Sequence, residues 1–157
     1  MYKRLIKFIA SGFGAGYFPV APGTAGSLIG VGYWWLLTLL LPWAHWLVFV
    51  AVVLFAVWCA GEAAEILRRP DPSCVVIDEI AAMPLVLAGL AARPWPIIIG
   101  FACFRLFDIW KPPPVRESQH FSGGLGIVLD DLLAALYACG AAHAIIWTVA
   151  RISHRTF

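Results

Sequence analysis

Charge is what this sequence has least of: 11 Lys or Arg and nine Asp or Glu among 157 residues, 13% of the chain, against 62% apolar side chains. A soluble domain typically carries about a quarter charged residues, so the balance points to an integral membrane protein. The lack of polar sequence excludes a disordered chain. A net charge of +2 leaves no basic surface for nucleic acid.

Other absences narrow the chemistry. The four cysteines (Cys59, Cys74, Cys103, Cys139) form no CxxC pair and lie in or beside apolar runs, so they read as small buried hydrophobes. A cysteine phosphatase needs Arg six positions after its Cys, where this chain has Glu65, Ile80, Ile109 and Ile145. No Asp-x-Asp nucleophile pair and no Gly-Lys-Ser/Thr of a P-loop is present. The histidines (His45, His120, His143, His154) are dispersed. His120 reads as a solvated loop residue, although its ordinary pKa would suit proton transfer. Lys3, Arg4 and Lys7 resemble the start of a signal peptide, but the Gly-rich stretch after Ser11, with Pro19 and Pro22, does not supply its apolar region, so the N-terminus is expected in the mature protein.

What is present is apolar sequence in five stretches, at about 26–41, 46–60, 79–92, 96–107 and 132–150, separated by Pro42, Gly61 with Pro70 and Pro72, Arg93-Pro94-Trp95-Pro96 and Pro112-Pro113-Pro114. Several fall short of the roughly 20 residues that span a bilayer. The expected fold is all-α, an integral membrane helical bundle with about four or five transmembrane or membrane-embedded helices in a single domain, 1–157. Trp34, Trp35, Trp43, Trp46, Trp95, Trp110 and Trp147 stand near segment ends, as an interfacial belt would place them.

With five crossings, Lys3, Arg4, Lys7, Arg68, Arg69, Arg105, Lys111 and Arg116 fall on one side and only Arg93, Arg151 and Arg155 on the other. The first side is therefore expected in the cytoplasm. All nine acids share that side or the helix ends facing it. Glu62, Glu65, Asp71 and Glu117 read as ordinary loop charges. Asp78, Glu79, Asp108, Asp130 and Asp131 abut strongly apolar sequence, where an ionisable group is costly and points to function.

Asp78-Glu79 enters an apolar run and offers the hard oxygens Mg²⁺ prefers; equally, Asp78 could be an N-cap with Glu79 in the first turn. Arg105, Asp108 and Lys111, spaced i, i+3, i+6, align on one helix face. They suit a ligand held between two phosphate-binding cations, or a self-satisfied ion-pair ladder. Gly123-Gly124-Leu125-Gly126 permits close backbone approach before Asp130-Asp131. The arm from Gly12 to Ser27, with Thr24 and Ser27 as hydroxyl donors, either wraps a head group or packs as a plain re-entrant turn.

Four segments, GFGAGYFPVAPGTAGS, DPSCVVIDEI, FRLFDIWKPPPV and GGLGIVLDDLLAALYA, resemble in order and spacing the motifs of the phosphatidylglycerophosphatase A family, from Gly12 to about Ala138. The resemblance implies a membrane-embedded lipid phosphatase of the bacterial inner membrane, multi-pass and with its site facing the cytoplasm. Its expected reaction is Mg²⁺-dependent hydrolysis of phosphatidylglycerophosphate to phosphatidylglycerol and phosphate. Carried over by motif, Asp78, Glu79, Asp108 and Asp131 are the catalytic candidates and, with Asp130, the metal ligands. Arg105, Lys111, Thr24 and Gly124 are the substrate-binding candidates. The chain departs from the family where it reads Ala81-Ala82 in place of a usual glycine, and Phe18 in place of serine. Two rival readings are a metal-dependent phosphatase of another membrane lipid phosphate and a non-enzymatic ion-translocating protein, which would place its acids at mid-helix.

Overall fold

The computed structural model describes residues 1–153, so Arg155 and His154 lie outside the described part. Each apolar stretch forms a helix: α2 (Pro22–Leu37), α3 (Pro42–Leu67), α4 (Ile77–Val86), α5 (Pro94–Trp110) and α7 (Gly124–Ser153). The N-terminal arm adds α1 (Tyr2–Ala10) and a single 3₁₀ turn at Ala15–Tyr17, and α6 (Val115–Ser118) bridges α5 and α7. No strand occurs among the described residues, so the expected all-α class holds.

Proline sets the starts of α2, α3 and α5. Pro22, Pro42 and Pro94 each stand in a first turn, where the missing N–H is not needed. Gly61 does not end α3 as its sequence suggests. The helix continues through Glu62-Ala63-Ala64-Glu65, good helix formers, to Arg68 in the left-handed conformation. Conversely, α4 stops at Val86, well short of residue 92, before a turn at Gly89 with φ +72°.

The ten-residue α4 is the hub. Eight of the ten residues of α4 are buried, and it packs between α2, α3 and α7. One apolar cluster joins α1, α3, α4 and α7 around Ile6, Cys59, Ala63 and Val128. The other joins α2, α4, α5 and α7 around Trp34, Met83, Leu87 and Phe104. Trp34, expected in an interfacial belt, is a core residue instead, because it lies on the α2 face turned to α4. Ala81 and Ala82 are wholly buried, while Phe18 is exposed on the arm.

Small residues let the helices approach closely. A Cβ on Gly124 would land on the Val57 carbonyl oxygen and within 2.6 Å of the Gly61 amide nitrogen, so α7 begins in direct backbone contact with α3. Gly124→Ala is therefore expected to cost about 1–3 kcal/mol by forced separation of the two helices, read as a lower Tm in detergent.

The outward faces are apolar. Leu47, Val50 and Leu54 on α3, Leu136, Ile145 and Val149 on α7, and Ile98 on α5 are all exposed, a surface that water would not tolerate over such an extent. Two helices, Pro42–Leu67 and Gly124–Ile152, are long and apolar enough to cross a membrane. With 16 and 17 residues, α2 and α5 are shorter than the roughly 20 of a full span, and α4 with ten is half that. The helix ends nevertheless sort as expected: the starts of α2, α4 and α7 meet the ends of α3 and α5 at one pole.

Candidate active site at the acidic pole

At that pole a cavity of about 250 Å³ is lined by Asp71, Asp78, Glu79, Asp108, Asp130 and Asp131, with Arg105 and Lys111 as its cations. All five acids singled out in the sequence thus converge, from three helices. Asp71, read as an ordinary loop charge, joins them. Its position between Pro70 and Pro72 gave no sign of this, because no apolar sequence surrounds it. The arm contributes Ala21, Pro22 and Gly23 to the same wall. Thr24 and Gly124, the other substrate-binding candidates, do not line this cavity. Thr24 is held in the first turn of α2 by its amide on the Ala21 carbonyl (3.0 Å), and Gly124 is the contact with α3.

The cations divide the acids into two sets. Arg105 Nη1 pairs with Asp108 Oδ2 at 2.8 Å and reaches Glu79 Oε1 at 3.4 Å. Lys111 Nζ donates to Asp130 Oδ2 at 2.5 Å and lies 3.9 Å from Asp108 Oδ1. Asp130 Oδ2 also accepts from Gln119 Nε2 at 2.9 Å, and its Oδ1 accepts the Asp131 amide at 3.0 Å. Asp108 and Asp130 are therefore satisfied. In contrast, Asp78 Oδ1, Glu79 Oε2 and Asp131 Oδ2 are buried without a hydrogen-bond partner in the protein.

Two local geometries settle alternatives left open by the sequence. The N-cap of α4 is Val76, with no side-chain cap, so Asp78 is not a capping residue. Lys111 keeps its i, i+3 contact with Asp108 at 3.9 Å from a position just past the end of α5. Pro112 disfavours a helical conformation for the residue before it, and Lys111 turns to φ +48° just past the helix end. That turn swings the ammonium toward α7, where it finds Asp130.

Electrostatics follow from burial. The Asp78 carboxyl is pushed well above the ordinary carboxylate range, first by burial and then by the adjacent Glu79. Glu79 is pushed up to about 8 by burial and the Asp108 charge, against the opposing pull of Arg105. Burial alone would favour a neutral Lys111, but the Asp130 hydrogen bond and charge outweigh it and raise the ammonium above its usual value. A cluster so arranged favours an additional cation, and buried, unpaired carboxylate oxygens are the donors a hard divalent ion takes. Among the described residues no group of three or more His, Cys, Asp or Glu is arranged to hold a metal ion by itself; the unpaired oxygens border an open cavity.

Gly23 fixes how closely the arm approaches. A Cβ there would fall on Glu79 Oε1 and within 2.9 Å of Arg105 Nη1. Gly23→Ala must displace that pair, at a cost of about 1–3 kcal/mol. That cost is expected to appear as a lower Tm in detergent.

A family model described as phosphatidylglycerophosphatase A matches residues 8–146. An Escherichia coli protein described as phosphatidylglycerophosphatase A is 36% identical over 135 residues, covering 84% of this chain and 78% of the relative. A Haemophilus influenzae protein of the same description is 39% identical over 137 residues, covering 85% and 83%. A Bacteroides thetaiotaomicron protein that carries the provisional name phosphatidylinositol-3-phosphatase is 41% identical over 138 residues, covering 83% and 86%. No solved structure matches the chain.

Proposed function

The chain belongs to the phosphatidylglycerophosphatase A family of phosphatases, and from that premise we propose that it hydrolyses phosphatidylglycerophosphate to phosphatidylglycerol and phosphate with Mg²⁺ at the acidic pole. The observation that carries the metal assignment is the set of three buried, unpaired oxygens on Asp78, Glu79 and Asp131 beside two cations.

Asp78 and Asp131 would hold the ion, with Glu79 beside them. Bound there, Mg²⁺ would supply Lewis-acid neutralisation of the phosphomonoester oxygens. Arg105 and Lys111 bind the phosphate, the first as a planar fork and the second as a point charge. Asp108 and Asp130 hold those two side chains in place. Glu79, anchored through one oxygen by Arg105, takes the proton of the attacking water and returns it to the departing glycerol oxygen. One P–O bond to water forms as the P–O bond to glycerol breaks.

The same reading places the chain in the bacterial inner membrane as a multi-pass protein. In it α2, α3, α5 and α7 cross the bilayer, α4 is enclosed among them, and the cation-rich pole faces the cytoplasm. Its partners are the membrane and the phospholipid substrate. An ion-translocating role does not suit this arrangement, since the acids gather at helix ends around one pole.

The name of the Bacteroides thetaiotaomicron relative supports a second reading, in which another lipid phosphate is the substrate. Phosphate release from phosphatidylglycerophosphate, phosphatidic acid and phosphatidylinositol 3-phosphate, compared in mixed micelles, separates the two. The proposal expects the highest kcat/KM for phosphatidylglycerophosphate. A higher value for either of the others overturns it.

A further inference from the structure

Beside the acidic cavity lies a second one, of about 340 Å³, formed where the loop 119–123 faces Pro70 and Asp71 across the start of α7. The two cavities share Asp71 and Ile127. Gln119 joins them chemically, since it lines the second while donating to Asp130 in the first. The loop closes tightly over α7. A Cβ on Gly126 would land on the Phe121 carbonyl oxygen and 3.5 Å from that of Gln119, so the wall exists only because residue 126 has no side chain.

The linings differ in kind. Phosphate-binding cations line the first cavity, whereas none of the described residues lining the second is Lys or Arg. Asp71 there disfavours an anion and accepts hydrogen bonds. Gln119 donates one N–H to Asp130, which directs its NH₂ group toward the first cavity and leaves its amide oxygen as an acceptor. His120 Nδ1 lies 2.9 Å from the Glu117 carbonyl; that oxygen can only accept, so the proton sits on Nδ1 and Nε2 is the acceptor of the neutral ring. Ser122 both donates and accepts. Acceptors in excess and no cation suit a neutral hydroxyl, such as the one free hydroxyl of a glycerol esterified at both ends.

We propose that this second cavity seats the hydroxylated linker of the substrate head group, the glycerol carrying the scissile phosphate, while the phosphate itself enters the acidic cavity. This rests on the phosphatase reading and adds the residues that would distinguish a phosphate on a polyol from a phosphate alone. Exposed Phe121 in its lining gives the lipid an apolar approach to it.

Full-length protein in detergent with Mg²⁺ tests this by calorimetric binding of sn-glycerol 3-phosphate and of inorganic phosphate, which needs no turnover. Wild type is expected to bind glycerol phosphate more tightly. The double variant His120→Ala, Ser122→Ala is expected to lose that advantage by about tenfold, as two neutral hydrogen bonds are removed, with phosphate affinity unchanged. Equal binding of the two ligands by wild type, or an advantage that survives in the variant, overturns the subsite. Failure of the phosphatase reading is a separate result: no phosphate release from any lipid, whatever the binding ratio.

Discussion

Asp131→Asn and Asp78→Asn are each expected to lower phosphate release from phosphatidylglycerophosphate by about 10²–10³-fold, the scale of losing one preorganised charge-stabilising group at a reacting centre. Both carboxylates are 8% exposed or less, and each has one oxygen without a partner in the protein. Without a bound cation their charges cost stability rather than provide it. The same substitutions should therefore leave Tm in EDTA unchanged or raised, while abolishing the rise in Tm that Mg²⁺ gives wild type. A purely structural role predicts the opposite, with Tm falling in EDTA together with activity. Thermal unfolding in detergent, with and without Mg²⁺, distinguishes them.

Arg105→Ala is expected to have a comparable effect for a different reason. Its guanidinium lies between Asp108 and Glu79, so truncation removes the fork proposed to bind phosphate and leaves two carboxylates facing each other. Phosphate release should fall by about 10²-fold or more, chiefly in kcat if the fork grips developing charge in the transition state. Arg105→Lys keeps the charge but loses the bidentate geometry, and is expected to recover only a small part of the activity. Full rescue by Lys would show that charge alone is needed. Unchanged kinetics in Arg105→Ala would remove Arg105 from the site.

Much of this arrangement was legible in the sequence because charge was so scarce. In a chain with few ionisable residues, an acid next to an apolar run cannot be an incidental surface group, and all five such acids met in one cavity. The helices were legible for a related reason: proline punctuates every apolar stretch, and each stretch became a helix. The errors also have local causes. Asp71 was hidden between two prolines in a plain polar loop. Trp34 fitted an interfacial belt by its position in the segment, yet its face of α2 turns inward. Gly61 acts as a contact for α7 rather than a helix end.

The division of labour among the acids was not legible. Which carboxylates are satisfied depends on where two long side chains reach. Lys111 meets Asp130 only because Pro112 turns the chain out of α5. Spacing of i, i+3, i+6 described a ladder on Asp108, which the structure contains; it did not show that the same two cations also link α5 to α4 and α7. That linkage leaves Asp78, Glu79 and Asp131 with the unpaired oxygens, on which the proposed metal assignment rests.

The central claim, that these oxygens hold a divalent ion required for phosphate release, is tested most directly by a Mg²⁺ titration. Protein stripped with EDTA and returned to detergent micelles containing phosphatidylglycerophosphate is predicted to release no phosphate until Mg²⁺ is added, and then to reach a saturable maximum that Asp131→Asn does not approach. Full phosphate release in EDTA would contradict the claim.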